Sequence, residues 1–379
     1  METRPQHWRL VAGTRPATTL SPVAYISTDF IGCAKNFPKT ITIPTMFRKI
    51  ILVSFLSLLS LGLWSDPRPL KFHDGTFKIV QFTDLHYKLH RQTSERALQC
   101  IRNVVRRERP DLIVVTGDVV YSRPADSTLA VVTSCLSAAG IPWVMVPGNH
   151  DGERGLTVQQ INGLLLKSKN NIQPAAGEDG SLDFVLRIRS TDGSRDAALL
   201  YCLDSHDDAQ KTDVGGYAWL TPDQVQWYIR ESNNSIRQCG DTLPALAFFH
   251  IPLPEFAEAA HTDNDVLIGN RMEKVCCPRL NTGMFAAMRL QGDVMGVFCG
   301  HDHDNDYAVM HQGILLAYGR FSGGNTEYNH LKNGARVILL KENSRSFETW
   351  IDLSDGGECL RVTFPGSFVK DDWKLRKEQ

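Results

Sequence analysis

The chain has 379 residues, and 41 Lys and Arg against 42 Asp and Glu give it a formal charge of −1. Hydrophobic residues at 42% and charged residues at 22% are ordinary globular values, which excludes a disordered chain, a collagen-like repeat and a small disulfide scaffold. Near-neutral charge lacks the electrostatic footprint of a dedicated nucleic-acid binder, and no such partner is expected.

Near the N-terminus, Phe47-Arg48-Lys49 precedes an almost unbroken apolar run from Ile50 to Trp64, then Ser65-Asp66-Pro67. A short basic stretch before about 15 apolar residues is the layout of a secretory signal peptide, and a membrane span needs about 20. Met46 stands where a start codon belongs. We therefore expect 1–45 to be a non-native or unstructured extension, 46–65 a signal peptide and 66–379 one domain. The product would be exported, to a periplasm or the medium, with no stable membrane span. The alternative is a chain anchored by residues 50–64. The nine cysteines contain no CxxC pair, so a zinc ribbon is not expected. Cys276 and Cys277 are adjacent, and disulfide pairing stays open.

From Phe77 onward, strand-like runs alternate with helical patterns. Phe77–Phe82 is rich in β-formers. Residues 94–108 place Ala97, Leu98, Ile101, Val104 and Val105 on one helical face, which Pro110 terminates. Asp111–Val115 is a second strand, a helix around 126–138 ends at Gly140, and Pro142–Val146 is a third strand. Residues 152–197, polar and Gly-rich, read as an insertion or long loop. Later strands are expected at Ala198–Leu203, Leu243–Phe249 and Val294–Cys299, then near 306–318, 335–341 and 347–352. Such βαβ alternation implies an α/β fold with a largely parallel sheet.

The informative residues stand at the strand ends. Asp84-Leu85-His86 comes directly after the first strand, Gly117-Asp118 after the second, and Gly148-Asn149-His150-Asp151 after the third. His250 and Gly300-His301-Asp302-His303 come after two later ones. Ligand sites in open α/β sheets form at the carboxyl ends of strands, so these distant segments can converge on one edge. Carboxylates, imidazoles and an amide oxygen suit a divalent metal pair without thiolate. Glycines at 117, 148 and 300 are expected to let the backbone turn so that the next side chain points inward.

In these motifs, DxH, GD, GNH(D/E), a lone His and GHxH, the chain resembles the calcineurin-like metallophosphoesterase family. His250 to Glu255, Gly300 to Asp306 and Gly216 to Tyr228 are most similar to the small single-domain purple acid phosphatase-like proteins. The resemblance covers roughly residues 75–350 and implies a sandwich of two mixed β-sheets flanked by helices, with a core at about 75–352. It implies two transition-metal ions, with iron, zinc and manganese all open. The first would take Asp84, His86, Asp118 and His303, the second Asp118, Asn149, His250 and His301. Asp118 would bridge them, one oxygen to each. His150 would be a general acid or a donor to phosphoryl oxygens.

Purple acid phosphatases instead use a Tyr three residues after the bridging Asp and lack the His of DxH. This chain has both His86 and Tyr121; the expectation is His86 as ligand and Tyr121 as wall, the alternative an iron–tyrosinate site. Asp302 either orients a neighbouring ligand or is a solvated turn residue. Arg320 either binds phosphate or is paired elsewhere. The loop from Cys276 to Gly283 lies at the substrate mouth or is a plain surface loop. The implied activity is hydrolysis of phosphate monoesters. The alternatives are a diester- or nucleotide-directed enzyme on the same site, and a silent protein that keeps its metals for structure. Oligomeric state cannot be read from the sequence.

Overall fold

The structure, a computed structural model, describes residues 69–368 apart from 211–212, 262–265 and 326–329. The expected extension at 1–45 and signal segment at 46–65 lie outside the described residues. Among the described residues no helix is long and apolar enough to cross a membrane.

Strand β1 (Thr76–Phe82) shows how the layers arise. With side chains alternating between faces, Phe77 and Ile79 enter one apolar core while Val80 and Phe82 enter another. The second core lies under α1 (Glu95–Glu108), whose Ala97, Leu98, Ile101, Val104 and Val105 are buried. That helix stops at Arg109, which turns left-handed at φ 46° directly before Pro110. Strand β2 (Leu112–Thr116), helix α2 (Ala125–Ala138) and strand β3 (Trp143–Val146) repeat the unit, and β1, β2 and β3 are parallel.

Residues 152–197 are not one long loop. They hold α3 (Val158–Leu165), β4 (Phe184–Arg189) and the start of β5 (Asp196–Cys202), and β4 pairs antiparallel with β5. Helix α3 opens with a reciprocal Thr157/Gln160 capping box. Helix α4 (Pro222–Cys239) repeats that device with Thr221 and Gln224, and ends at Gly240 with φ 75°.

Beyond β6 (Ala245–Phe248) and α5 (Pro254–Ala259) come β7 (Leu267–Ile268), α6 (Met284–Gln291) and β8 (Val294–Cys299). The chain continues through β9 (Ala308–His311), β10 (Ile314–Tyr318), β11 (Gly334–Lys341), β12 (Phe347–Leu353) and β13 (Glu358–Phe364). One sheet runs β13-β12-β11-β1-β2-β3, the other β4-β5-β6-β8-β10-β9-β7. Both are mixed. The first is antiparallel from β13 to β1 and parallel from β1 to β3, the second parallel from β5 to β10 and antiparallel at both margins. The parallel expectation therefore holds for only part of each sheet, the part that includes the motif-bearing strands. The last strand, β13, lies beyond 352 and extends the first sheet. Between the sheets, Phe77, Ile79, Leu112 and Val114 meet Leu200, Leu246, Phe248 and Phe298. Helices α4 and α6 cover the outer face of the second sheet.

Candidate metal centre

Parallel strands β1, β2 and β3 end on one edge of the first sheet, and β6 and β8 on one edge of the second. The motif loops leave these ends and meet there. Asp84, His86, Asp118 and His301 have φ of 52°, 42°, 55° and 76°, the left-handed region that non-glycine residues seldom occupy. Each costs roughly 1–3 kcal/mol and persists only where the surroundings fix it. Here the Asp84 N–H donates to the Gly117 carbonyl at 3.1 Å and the His86 N–H to the Asp118 carbonyl at 2.9 Å.

The glycines act in two ways. Gly117 has φ 81°, and a Cβ there would lie 2.6 Å from the Gly148 Cα and 2.8 Å from His250 Nδ1. Gly148 and Gly300 serve by room rather than by turning. A Cβ on Gly148 would overlap the Asp118 carboxylate, and one on Gly300 the Thr83 hydroxyl and Asp84.

Two groups of donors result: Asp84, His86 and His303, and Asp118, His250 and His301. In the first, Asp84 Oδ1 lies 3.5 Å from His303 Nε2 and 3.9 Å from His86 Nε2. Asp118 stands between the groups, its Oδ2 3.3 Å from His86 Nε2 and 3.3 Å from His250 Nε2. The expected arrangement, one oxygen to each group, is not what the carboxylate adopts. One oxygen faces both, while Oδ1 accepts the His150 N–H at 2.9 Å.

His250 tests whether a cation fits. Its Nδ1 lies 2.7 Å from the Thr116 carbonyl, which can only accept, so Nδ1 carries a proton. Its Nε2 faces Asp118 Oδ2, Asn149 Oδ1 at 3.1 Å and His301 Nδ1 at 3.3 Å. The Asp118 and Asn149 oxygens are acceptors, and with the two imidazole nitrogens they converge on one space that a proton or a metal ion would fill. Burial favours the neutral His250 ring, yet the Asp118 and Asp84 carboxylates push its pKa up to about 10. Burial likewise opposes charge on Asp84, but His303 and His250 hold it down to about 2. Asp118 is held well below the usual carboxylate range against burial by His250 and His86. Burial and the neighbouring His250 keep His301 neutral, at about 3. Oxygen and nitrogen donors without thiolate fit a hard or borderline metal ion.

Comparison with known proteins gives the same family. A sequence model described as calcineurin-like phosphoesterase matches residues 77–305. The "Probable inactive purple acid phosphatase 29" of Arabidopsis thaliana is 32% identical over 368 residues, covering 82% of this chain and 92% of that protein. The chain belongs to the calcineurin-like phosphoesterase family. Phosphatase DCR2 of Saccharomyces cerevisiae is 30% identical over 318 residues, 73% of this chain and 54% of the yeast protein. A dimetal phosphatase from Danio rerio shares the fold with a TM-score of 0.54 at 15% identity, covering 76% of this chain and 99% of that one.

Around the donors of this calcineurin-like member stand the other expected residues. His150 is half-buried, its ring edge-on to Tyr121 at 5.2 Å and to His86 at 5.7 Å. Tyr121 stacks on His86, with centroids 4.5 Å apart and planes at 22°. Asp302 is no solvated turn residue: it is buried, accepts the Tyr318 hydroxyl at 2.6 Å and the Cys276 N–H at 3.2 Å, and burial pushes its pKa up to about 7. It thereby ties the Cys276 loop to the His301–His303 segment. Cys276 and Cys277 are free thiols, as are the other described cysteines. Arg320 does not join the donors; it is buried, ion-paired with Asp306 and donates to the Lys332 carbonyl at 2.7 Å.

Three residues were not foreseen. Asp151, fully buried, accepts four backbone N–H groups, from Asp118, Val119, Val120 and Gly148, at 2.8–2.9 Å. Its place as the last letter of GNHD was the available signal. Glu153 Oε1 lies 2.8 Å from His150 Nδ1, which an isolated Glu in a polar stretch does not advertise. Tyr217 sits edge-on to His301 at 4.4 Å, within the Gly216–Tyr228 segment that resembles the family. A cavity of about 360 Å³ opens beside Asn149, walled by Asp183, Asp204, His206, Gln224 and Trp227.

Proposed function

We propose that this protein is a dinuclear metal-dependent phosphoesterase acting on phosphate monoesters. The observation that carries the reading is Asp118 Oδ2, 3.3 Å from an imidazole of each donor group, which makes one carboxylate common to two adjacent sites. Asp84, His86, His303 and Asp118 would hold one ion, and Asp118, Asn149, His250 and His301 the other. A metal pair supplies charge to clamp a phosphoryl group and to acidify the attacking water. The chain's own residues do the rest. Thr116 fixes the His250 tautomer, and Asp118 Oδ1 fixes the His150 backbone. The His150 ring then passes a proton to the departing oxygen as the P–O bond breaks.

The name of the Arabidopsis relative, containing "inactive", points to the opposite outcome, and one experiment separates the two. Metal-replete protein is assayed on p-nitrophenyl phosphate beside bis(p-nitrophenyl) phosphate. Turnover of the monoester, lost after chelation and restored by iron, zinc or manganese, supports the reading. No turnover of either ester would make this a silent metal-binding member. Preference for the diester would favour the second reading, for which the cavity beside Asn149 offers room for another ester substituent. Export through residues 46–65 is part of the proposal, and a mature N-terminus mapped by mass spectrometry upstream of residue 46 would contradict it.

A further inference from the structure

We infer that Glu153 is a positioning residue that sets which nitrogen of His150 meets the leaving group; the inference rests on the proposed role of His150. The turn Asp151–Arg154 directly succeeds His150, and its first residue is pinned by the four N–H groups of the Asp118 and Gly148 loops. The His150 N–H is itself held by Asp118 Oδ1. The backbone on both sides of this short span is therefore fixed relative to the donor groups. From the far end of the turn, Glu153 reaches back three residues to place Oε1 2.8 Å from His150 Nδ1. Its second oxygen is held too, 3.2 Å from Arg154 Nη2. The Arg154 guanidinium lies 4.7 Å over the Tyr121 ring, and Tyr121 stacks on His86.

With the His150 and Glu153 side chains 31% and 43% accessible, this contact contributes little to stability. Its consequence is orientation. A carboxylate only accepts, so the contact keeps hydrogen on Nδ1 and leaves Nε2 as the working nitrogen. As general acid the ring gives the proton on Nε2 to the oxygen that leaves phosphorus and regains one from water, while Nδ1–H stays on Glu153. Without Glu153 the ring can flip and change tautomer, and only part of the population presents Nε2 correctly.

The test compares Glu153→Ala and Glu153→Gln, alone and with His150→Ala, on an alkyl and an aryl phosphate monoester. Glu153→Ala should keep its metal and lose roughly 10-fold in turnover of the alkyl ester, with a smaller loss on the aryl ester, which needs less protonation. Glu153→Gln, whose amide oxygen still accepts from Nδ1–H, should recover most of the rate. With His150→Ala already present, Glu153→Ala should cost nothing further. Nitrogen-15 NMR of His150 reads the same point without turnover: Nδ1–H in the wild type and in Glu153→Gln, mixed tautomers in Glu153→Ala. An equal loss with and without His150, or an unchanged tautomer in Glu153→Ala, overturns the inference. Absence of turnover in the wild type would instead sink the proposed function, and the NMR result would still decide the role of Glu153.

Discussion

Asp151 accepts the backbone N–H of Asp118 at 2.9 Å, so the residue that stands between the two donor groups is held by a carboxylate outside both of them. The same carboxylate takes the N–H groups of Val119, Val120 and Gly148. It thus joins the loop after β2 to the loop after β3 and holds Asp118 in its left-handed conformation. Asp151→Ala should leave buried N–H groups unpaired at about 1–3 kcal/mol each and lower stability by roughly 3 kcal/mol or more. It should also weaken metal retention at both groups, because Asp118 serves both. Denaturant unfolding and elemental analysis check this, and wild-type metal content in a destabilised Asp151→Ala would refute the link.

Asn149 and His250 lie with the second donor group, and His86 and His303 with the first. Metal-replete protein should therefore contain close to two transition-metal ions per chain. Asn149→Ala or His250→Ala should release one preferentially, His86→Ala the other, and Asp118→Ala both. Elemental analysis that finds a single ion in the wild type would sink the dinuclear reading.

The charge on His250 gives a pH signature. In metal-free protein its pKa, raised from 6.5 to about 10 by Asp118 and Asp84 against burial, leaves the ring protonated at neutral pH. A raised folded-state pKa contributes stability that is complete below about pH 6.5 and is lost as pH rises through about 10. The melting temperature of metal-free protein should fall across that interval. Metal replaces the proton, so the loaded protein should fall less, and loading at pH 8 should release a proton. Calorimetric titration in buffers of different ionisation enthalpy measures that release. A buffer-independent heat would mean that His250 was already neutral.

Much of this site was legible because its chemistry sits at strand ends, where a run of β-formers and then Gly with a polar residue is a local signal. Val294–Cys299 and the Gly-His-Asp-His directly after it are an example. What lay hidden depends on contacts between distant segments. The polar stretch 152–197 conceals β4, which is held as a strand by hydrogen bonds to β5 and, at Arg189, to the Leu70–Phe72 segment. Arg320 comes after a strand on the site's side, yet its guanidinium turns to the buried Asp306. The motifs mark Asp84, His86, Asp118 and His301 as donors, but nothing in the sequence marks their left-handed backbone, which contacts such as Asp151 with the Asp118 N–H impose.

Tyr121 tests where this chain departs from the purple acid phosphatase pattern. It stands at the position that supplies a phenolate ligand there, while His86, absent from that pattern, is present here. The Tyr121 ring lies nearly parallel to the His86 imidazole at 4.5 Å, with the Lys88 ammonium 4.8 Å from its centroid. It packs on a donor as a wall does, and two nearby cations favour its ring face. In the proposed assignment Asp84, His86, Asp118 and His303 would already give the first site four side chains. A fifth would take the open position that substrate or water requires. A phenolate on ferric iron gives a visible charge-transfer band, and imidazole does not. Fully loaded protein should therefore lack a purple colour, and Tyr121→Phe should keep both metals with a loss of rate below about 10-fold. Aromatic packing on His86 survives that substitution, so only removal of a ligand would empty the site. A strong visible band that vanishes in Tyr121→Phe, together with loss of one metal, would assign the first site to the tyrosine and return His86 to the wall.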